Sequence, residues 1–217
     1  MNVVETRREE KMMIDNMIKA LKNTNACKHK LAARLVNATW YHARNDSLRG
    51  DDSEMIHDEV ADDLMVVYSY RLDELGPVLI SKGLVKQAGV KEADVKKTAM
   101  ENSLENEPTK IITMAEIFGV SEDMLGQPQQ IVISNNSNYC GAIKILNKEV
   151  QEELAKRLGN DYMLIPSSIH EWIAIPNIDV KAATEMIRCV NSDEVDVNEQ
   201  LSDHPYTIKN GKLVAMV

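Results

Sequence analysis

The sequence predicts an α+β fold: a mostly antiparallel sheet with helices packed on it, preceded by an N-terminal helical hairpin. Three observations carry this. Strand-like runs come in pairs joined by short turns, as in "QQIVISNNSNYCGAIKIL" (129–146) and "YTIKNGKLVAMV" (206–217). Single helices separate these pairs, "NKEVQEELAKRLG" (147–159) being the clearest. A regular strand–helix–strand alternation, the mark of a parallel sheet, is missing. The 217 residues are expected to form a single domain (1–217), with an N-terminal helical segment over 1–50 and an α+β core over 51–217.

The elements follow from local pattern. Ile14, Met17, Ile18 and Leu21 recur at helical spacing among charged residues, which predicts an amphipathic helix over 4–22. Thr24 or Asn25 is placed to cap a second helix carrying Cys27, Leu31, Leu35, Val36 and Trp40 on one side, completing the hairpin. "RNDSLRGDDS" (44–53) reads as a loop, and Ser53 as the cap of a short acidic helix ending near Asp63. "LMVVYSYRL" (64–72) is β-branched and aromatic, with Gly76-Pro77 beyond it, and "VLISKGL" (78–84) is its expected hairpin partner. Residues 91–104 read as helix, "KIITM" (110–114) as a strand running into a helix at 114–118, and "SEDML" (121–125) as a short helix or turn. "NNSN" (135–138) is the turn of the 129–146 hairpin. In the 147–159 helix, Asn147 is the cap, Val150, Leu154 and Leu158 line one face, Glu153 and Arg157 pair, and Gly159 is the stop. "DYMLIP" (161–166) and "HEWIAIP" (170–176) read as strands and 179–190 as a helix. Asn210-Gly211 between two apolar runs is a hairpin turn.

Composition narrows the function classes. Hydrophobic residues at 44% and charged residues at 27% are ordinary for a globular protein. One Phe and twelve Met imply an aliphatic, Met-filled core. No apolar run approaches the roughly 18 residues needed to span a bilayer, and "MNVVETRREEKMM" has no signal-peptide core. Cys27, Cys140 and Cys189 are odd in number and far apart, which fits a reducing compartment, so a cytoplasmic location is expected. The net charge is −9, with ten Lys/Arg against five Asp/Glu over 1–50 and one against nine over 51–76. An acidic chain repels nucleic acid, so nucleic acid is not expected as a partner. The interleaved charges of the N-terminal segment read as a solvated helical face.

The most polar candidate lies in "YMLIPSSIHEWIAIPNI" (162–178), where Ser167, Ser168, His170 and Glu171 fall between apolar runs. If 169–175 is extended, Ile169, Glu171, Ile173 and Ile175 face one way and His170, Trp172 and Ala174 the other. Ser168 and His170 would then stand about 6.5–7 Å apart at the backbone. A nucleophile–base hydrogen bond needs about 2.6–3.2 Å. The expectation is therefore a turn at Pro166-Ser167-Ser168 whose hydroxyls satisfy backbone groups, with His170 and Glu171 anchoring neighbouring loops or lining a ligand pocket. "LSDHPY" (201–206) adds Asp203 and His204 in a turn.

Metal readings are poorer. His57, Asp58, Asp62 and Asp63 read as a solvated acidic face, and Cys27-Lys28-His29 supplies two residues of a zinc set without the others. No glycine-rich phosphate loop, CxxC pair, HExxH or GxSxG occurs. No metal and no cofactor are expected.

Five motifs in fixed order carry a resemblance: "DDLMVVYSYRL" (62–72), "MENSLENEPTKIITM" (100–114), "IVISNNSNYCGAIKIL" (131–146), "YMLIPSSIHEWIAIP" (162–176) and "VNSDEVDVNEQLSDHPY" (190–206). Over roughly residues 26–210 the chain resembles the bacterial domain of unknown function family 5688, as the C-terminal two-thirds of its longer members. Cys140 precedes Gly141 where members usually have Tyr, and Tyr139 lies one place earlier. The resemblance implies an intracellular domain met in gut bacteria and their mobile elements. It makes Asn135, Gly141, Ser167, Ser168, His170, Glu171, Asn191, Asp203 and His204 the positions to watch.

The expected function is a non-enzymatic domain that binds a protein or small-molecule partner. Asn135, Ser167, Ser168, His170, Glu171, Asp203 and His204 are its candidate ligand residues. The alternative is a hydrolase or transferase using His170 and Glu171 with Ser168, or Asp203 with His204. A third expectation is a homo-oligomer formed through the N-terminal helices, whose apolar stripe must pack on something.

Overall fold

A computed structural model describes residues 3–22, 28–47, 50–72, 76–125 and 129–217. Thr24, Asn25 and Cys27 lie outside the described residues. The chain divides into two compact units: residues 1–33, 42–57 and 67–102 form one, and residues 34–41, 58–66 and 103–217 the other. No described helix is long and apolar enough to cross a membrane.

The first unit opens with α1 (Val3–Lys22), whose Met17, Ala20 and Leu21 are buried. That face packs on α3 (Lys82–Ala88), which buries Leu84, Val85 and Ala88. Ser81 caps α3 by accepting the Leu84 amide at 3.2 Å, and Gly89 ends it in the left-handed conformation that glycine adopts freely. α4 (Glu92–Glu101) follows, and its Lys96 Nζ donates to the His57 carbonyl at 2.6 Å.

The predicted second helix of the hairpin is instead a strand, β1 (Leu31–Asn37), followed by α2 (Ala38–Asp46). Leu31, Ala32, Ala33, Leu35 and Val36 are all buried. A strand covered on both faces is a continuous apolar run, and its residues four apart mimic a helical stripe. The predicted acidic helix before Asp63 is also a strand, β2 (His57–Ala61). It turns at Asp62-Asp63 into β3 (Leu64–Leu72). The sheet order is β1-β3-β2, so β2 is terminal and its acids point to water, as suits an edge. β4 (Gly76–Leu79) pairs antiparallel with β3 as expected, but 82–84 belong to α3 rather than to a strand.

The second unit is built on a six-stranded sheet in which every pairing is antiparallel: β10-β9-β7-β8-β6-β5. Its strands are β5 (Thr109–Thr113), β6 (Ile131–Asn135), β7 (Tyr162–Ser168), β8 (Glu171–Pro176), β9 (Tyr206–Lys209) and β10 (Lys212–Ala215). The short helices α5 (Met114–Phe118) and α6 (Glu122–Leu125) link β5 to β6. α7 (Lys148–Leu158) carries the predicted cap, since Asn147 Oδ1 accepts the Glu149 amide at 2.8 Å. Arg157 Nε meets Glu153 at 2.6 Å on its surface. α8 (Val180–Asp193) lays Ala183 and Ile187 against Met163, Ile165 and Ile175 of the sheet. The Asn210-Gly211 turn has both residues at positive φ, as a tight hairpin requires.

One predicted hairpin is absent. Residues 141–146 form a 3₁₀ helix, not a strand. β6 already pairs with β5 on one edge and β8 on the other, so no edge is open to "GAIKIL" despite its apolar composition. Cys140 leaves the sheet in the left-handed conformation, and Ala142, Ile143 and Ile145 are buried.

Candidate functional site

β7 and β8 join through a two-residue turn, Ile169-His170, with Ser168 paired to Glu171. The extended geometry predicted for 169–170 is therefore replaced by a turn. The turn predicted at Pro166–Ser168 is the end of β7, with a bulge at Ser167. Pro166 lacks an N–H donor, and it lies past the one residue, Leu164, where β7 pairs with β9. Trp172, fully buried, donates Nε1–H to the Ala142 carbonyl at 2.9 Å and ties β8 to the 3₁₀ helix.

His170 is the hub of a knot. Its Nδ1 accepts the Cys140 amide at 3.0 Å, which holds the ring as the Nε2–H tautomer. Nε2 faces Glu199 Oε1 at 3.3 Å. Its backbone carbonyl accepts from Ser134 Oγ at 2.8 Å, and its backbone amide donates to Ser168 Oγ at 3.1 Å. Ser167 Oγ donates to Glu171 at 3.3 Å. Asn135, 2% exposed, closes the loop before Cys140: it donates to the Tyr139 carbonyl at 2.8 Å and accepts the Tyr139 amide at 3.1 Å. The Ile169 amide donates to the Glu199 carbonyl at 2.8 Å. Gly141 passes where no side chain fits, because a methyl there would lie 2.6 Å from Asn135 N and 2.7 Å from the His170 carbonyl.

The second motif forms a separate cluster. Asp203 and His204 do not pair with each other. Asp203 accepts from Asn191 Nδ2 at 2.9 Å, and the same amide donates to the Ser202 carbonyl at 3.0 Å. His204 Nε2 faces Asp63 Oδ2 at 3.1 Å, and its Nδ1 lies 3.3 Å from the Pro205 carbonyl. Asp63 also accepts from Ser202 Oγ at 2.6 Å and from the Tyr206 hydroxyl. Burial, and next the bond to Asp63, push the Tyr206 hydroxyl well above its ordinary range, so it stays a donor. The Tyr206 ring stacks edge-on against Trp172.

Lys144 is a third polar feature. It is fully buried, and Nζ donates to the Leu104 carbonyl at 3.1 Å and to the Glu107 carbonyl. Burial lowers its pKa, with Glu107 opposing. Asn147 Nδ2 reaches the same Leu104 carbonyl at 3.2 Å.

Of the candidate ligand residues, Asn135, Ser167, Ser168, His170 and Glu171 lie about the β7–β8 turn, whereas Asp203 and His204 fall in the separate cluster with Asn191 and Asp63. Sequence reasoning missed Glu199 as the His170 partner and Asp63 as the His204 partner. Asp63 lies 139 residues from Ser202, so no local spacing reports it. Lys144 carried a signal, as the lone cation in an apolar run. Among the described residues no group of three or more His, Cys, Asp or Glu is placed to hold a metal ion.

The fold and these clusters define an α+β protein whose polar motif residues bond chiefly to backbone groups and to one another, joining loops across the sheet. The chain belongs to the Family of unknown function (DUF5688), whose model matches residues 1–209. That span begins ahead of residue 26, so α1 lies within it. Neither the comparison with curated proteins nor that with solved structures gives a significant match.

Proposed function

We propose that this protein acts by binding a protein or small-molecule partner and performs no chemistry at its Ser, His and Glu motifs. One observation supports this above the rest: in both motif histidines, both ring nitrogens face groups of the chain itself. His170 Nδ1 is held by the Cys140 amide and Nε2 by Glu199; His204 faces Asp63 and the Pro205 carbonyl. A general base needs a nitrogen aimed at the proton it removes. The serines are engaged as well, Ser167 with Glu171, Ser168 with the His170 amide and Ser202 with Asp63.

The binding face we assign lies over the His170 knot. Tyr139 is half exposed, with its ring 5.5 Å from His170, and the half-buried Glu199 faces the same imidazole. An exposed Tyr on a braced loop offers contact area at small entropic cost. A thermal-shift screen with nucleotides, amino acids and sugars tests the small-molecule version. The expected outcome is a shift that Tyr139→Ala removes without lowering the protein's own Tm. Turnover of chromogenic esters or phosphate esters, lost in a folded His170→Ala or His204→Ala variant, overturns the proposal.

A further inference from the structure

β1 carries one charged residue, Arg34. It is half-buried in "LAARLVN", where every other residue except Asn37 is buried. Its guanidinium carbon lies 5.1 Å from the centre of the Trp40 ring, within cation–π range, and Trp40 stands on α2 in the same unit. Arg34 Nε is sealed from solvent and has no hydrogen-bond partner. Among the described residues it is the one buried side-chain nitrogen or oxygen left so. No hydrogen bond or ion pair joins the Arg34 side chain to any other described residue.

The chain offers this cation no carboxylate of its own. None of the residues between Asp15 and Asp46 is acidic, while six are Lys or Arg. Leu64, Met65 and Val66 of β3, the strand beside β1, are apolar and buried. The Ala38 amide, just past β1, donates to the Asp63 carbonyl, but the Asp63 carboxylate is taken by Ser202, His204 and Tyr206. Unpaired buried donors cost stability and are rare in native folds. Hydrogen bonds within the described chain therefore do not account for where this guanidinium sits. Stacking on the indole fixes its plane and leaves its N–H fork at the rim. That fork matches two oxygens of a phosphate or a carboxylate, which a Lys ammonium cannot do.

We propose that Arg34, stacked on Trp40, anchors an oxyanion site that takes a small ligand by a phosphate or carboxylate group. Nη1 and Nη2, which are not sealed, are the nitrogens the oxyanion meets first. The site shares no residue with the His170 knot and does not rest on the binding face assigned there. A single forked contact holds a free anion weakly, with a Kd on the order of 1 mM. The rest of the ligand supplies the remaining affinity.

Proton–nitrogen NMR on the full chain tests it. The sequence has two Trp, so two indole N–H signals arise, and Trp40→Phe assigns them. Inorganic phosphate and acetate are each titrated to about 20 mM, well past the expected Kd, against chloride at equal ionic strength. The expected result is a saturable shift of the Trp40 indole and Arg34 Nε–H signals, while the signal of the fully buried Trp172 stays still. Tighter binding of phosphate assigns a phosphorylated ligand, and tighter binding of acetate a carboxylate. Arg34→Lys keeps the charge without the fork and weakens binding by about tenfold. Arg34→Met abolishes it and, since no hydrogen bond is lost, should keep the wild-type Tm. If Arg34→Met does not fold, the wild-type and Arg34→Lys titrations still decide. Shifts no larger than those with chloride overturn the proposal. So do shifts that persist in Arg34→Met, or an Arg34→Lys variant that binds as tightly as wild type.

Discussion

Replacing Gly141 with Ala tests whether the His170 knot is a packed structural joint. The residue does not occupy the left-handed region, so backbone strain plays no part and the effect is steric. The added methyl would lie 2.6 Å from Asn135 N and 2.7 Å from His170 O, and closer still to Ser134 Oγ. Two of the three obstacles are backbone atoms on different elements, β6 and the β7–β8 turn. They cannot move apart without breaking the Ser134–His170 and Cys140–His170 bonds. Overpacking a well-filled site costs about 1–3 kcal/mol, and opposed backbone places Gly141→Ala near the upper end. Ser134→Ala should not rescue it. That change removes one collision but also a hydrogen bond of about 1 kcal/mol, and it leaves both backbone collisions in place. Trp40 and Trp172 both belong to the second unit, so tryptophan fluorescence in urea reports on the unit that carries the change. A loss below about 0.5 kcal/mol, the range of a neutral surface substitution, or full rescue by Ser134→Ala, would refute the steric argument.

Tyr206→Phe removes a buried donor to Asp63 and should destabilise the same unit by about 1.5–3 kcal/mol, read by the same urea titration. The pH dependence has a definite sign. Tyr206 and Tyr162 have raised pKa values in the folded protein, while in the unfolded chain they ionise near 10.0, so stability falls as pH rises above 10.0. In Tyr206→Phe that fall is shallower. Lys144 acts oppositely: its folded pKa is lowered, so its burial penalty is relieved as pH climbs toward the unfolded value of 10.5. Lys144→Met abolishes that rise. It also leaves the Glu107 carbonyl without the Lys144 donor, and hydrogen exchange should quicken at the amides of 104–107, 109 and 110, Pro108 having none.

The pairing of distant polar residues was less legible in the sequence than the elements that hold them. Ser167 to Glu171 drew attention because five adjacent positions carry three kinds of functional group. Their roles depended on Cys140, Ser134 and Glu199, which only the folded sheet brings to the turn. Asp203 and His204 looked like a pair because they are neighbours in sequence. In the fold, His204 turns to Asp63 and Asp203 to Asn191.

What the sequence determined by itself is the set of elements whose signals are local. Asn147 and Gly159 bound α7, and Asn210-Gly211 shapes the β9–β10 turn, because caps and positive-φ turns are decided within a few residues. The identity of "LAARLVN" and "GAIKIL" was decided by tertiary structure. Both are apolar runs compatible with more than one backbone state. The first became a strand within the β1-β3-β2 sheet, and the second a 3₁₀ helix because β5 and β8 had already taken both edges of β6. Where short-range preferences nearly balance, the free energy of burial and the supply of unpaired backbone partners select the outcome.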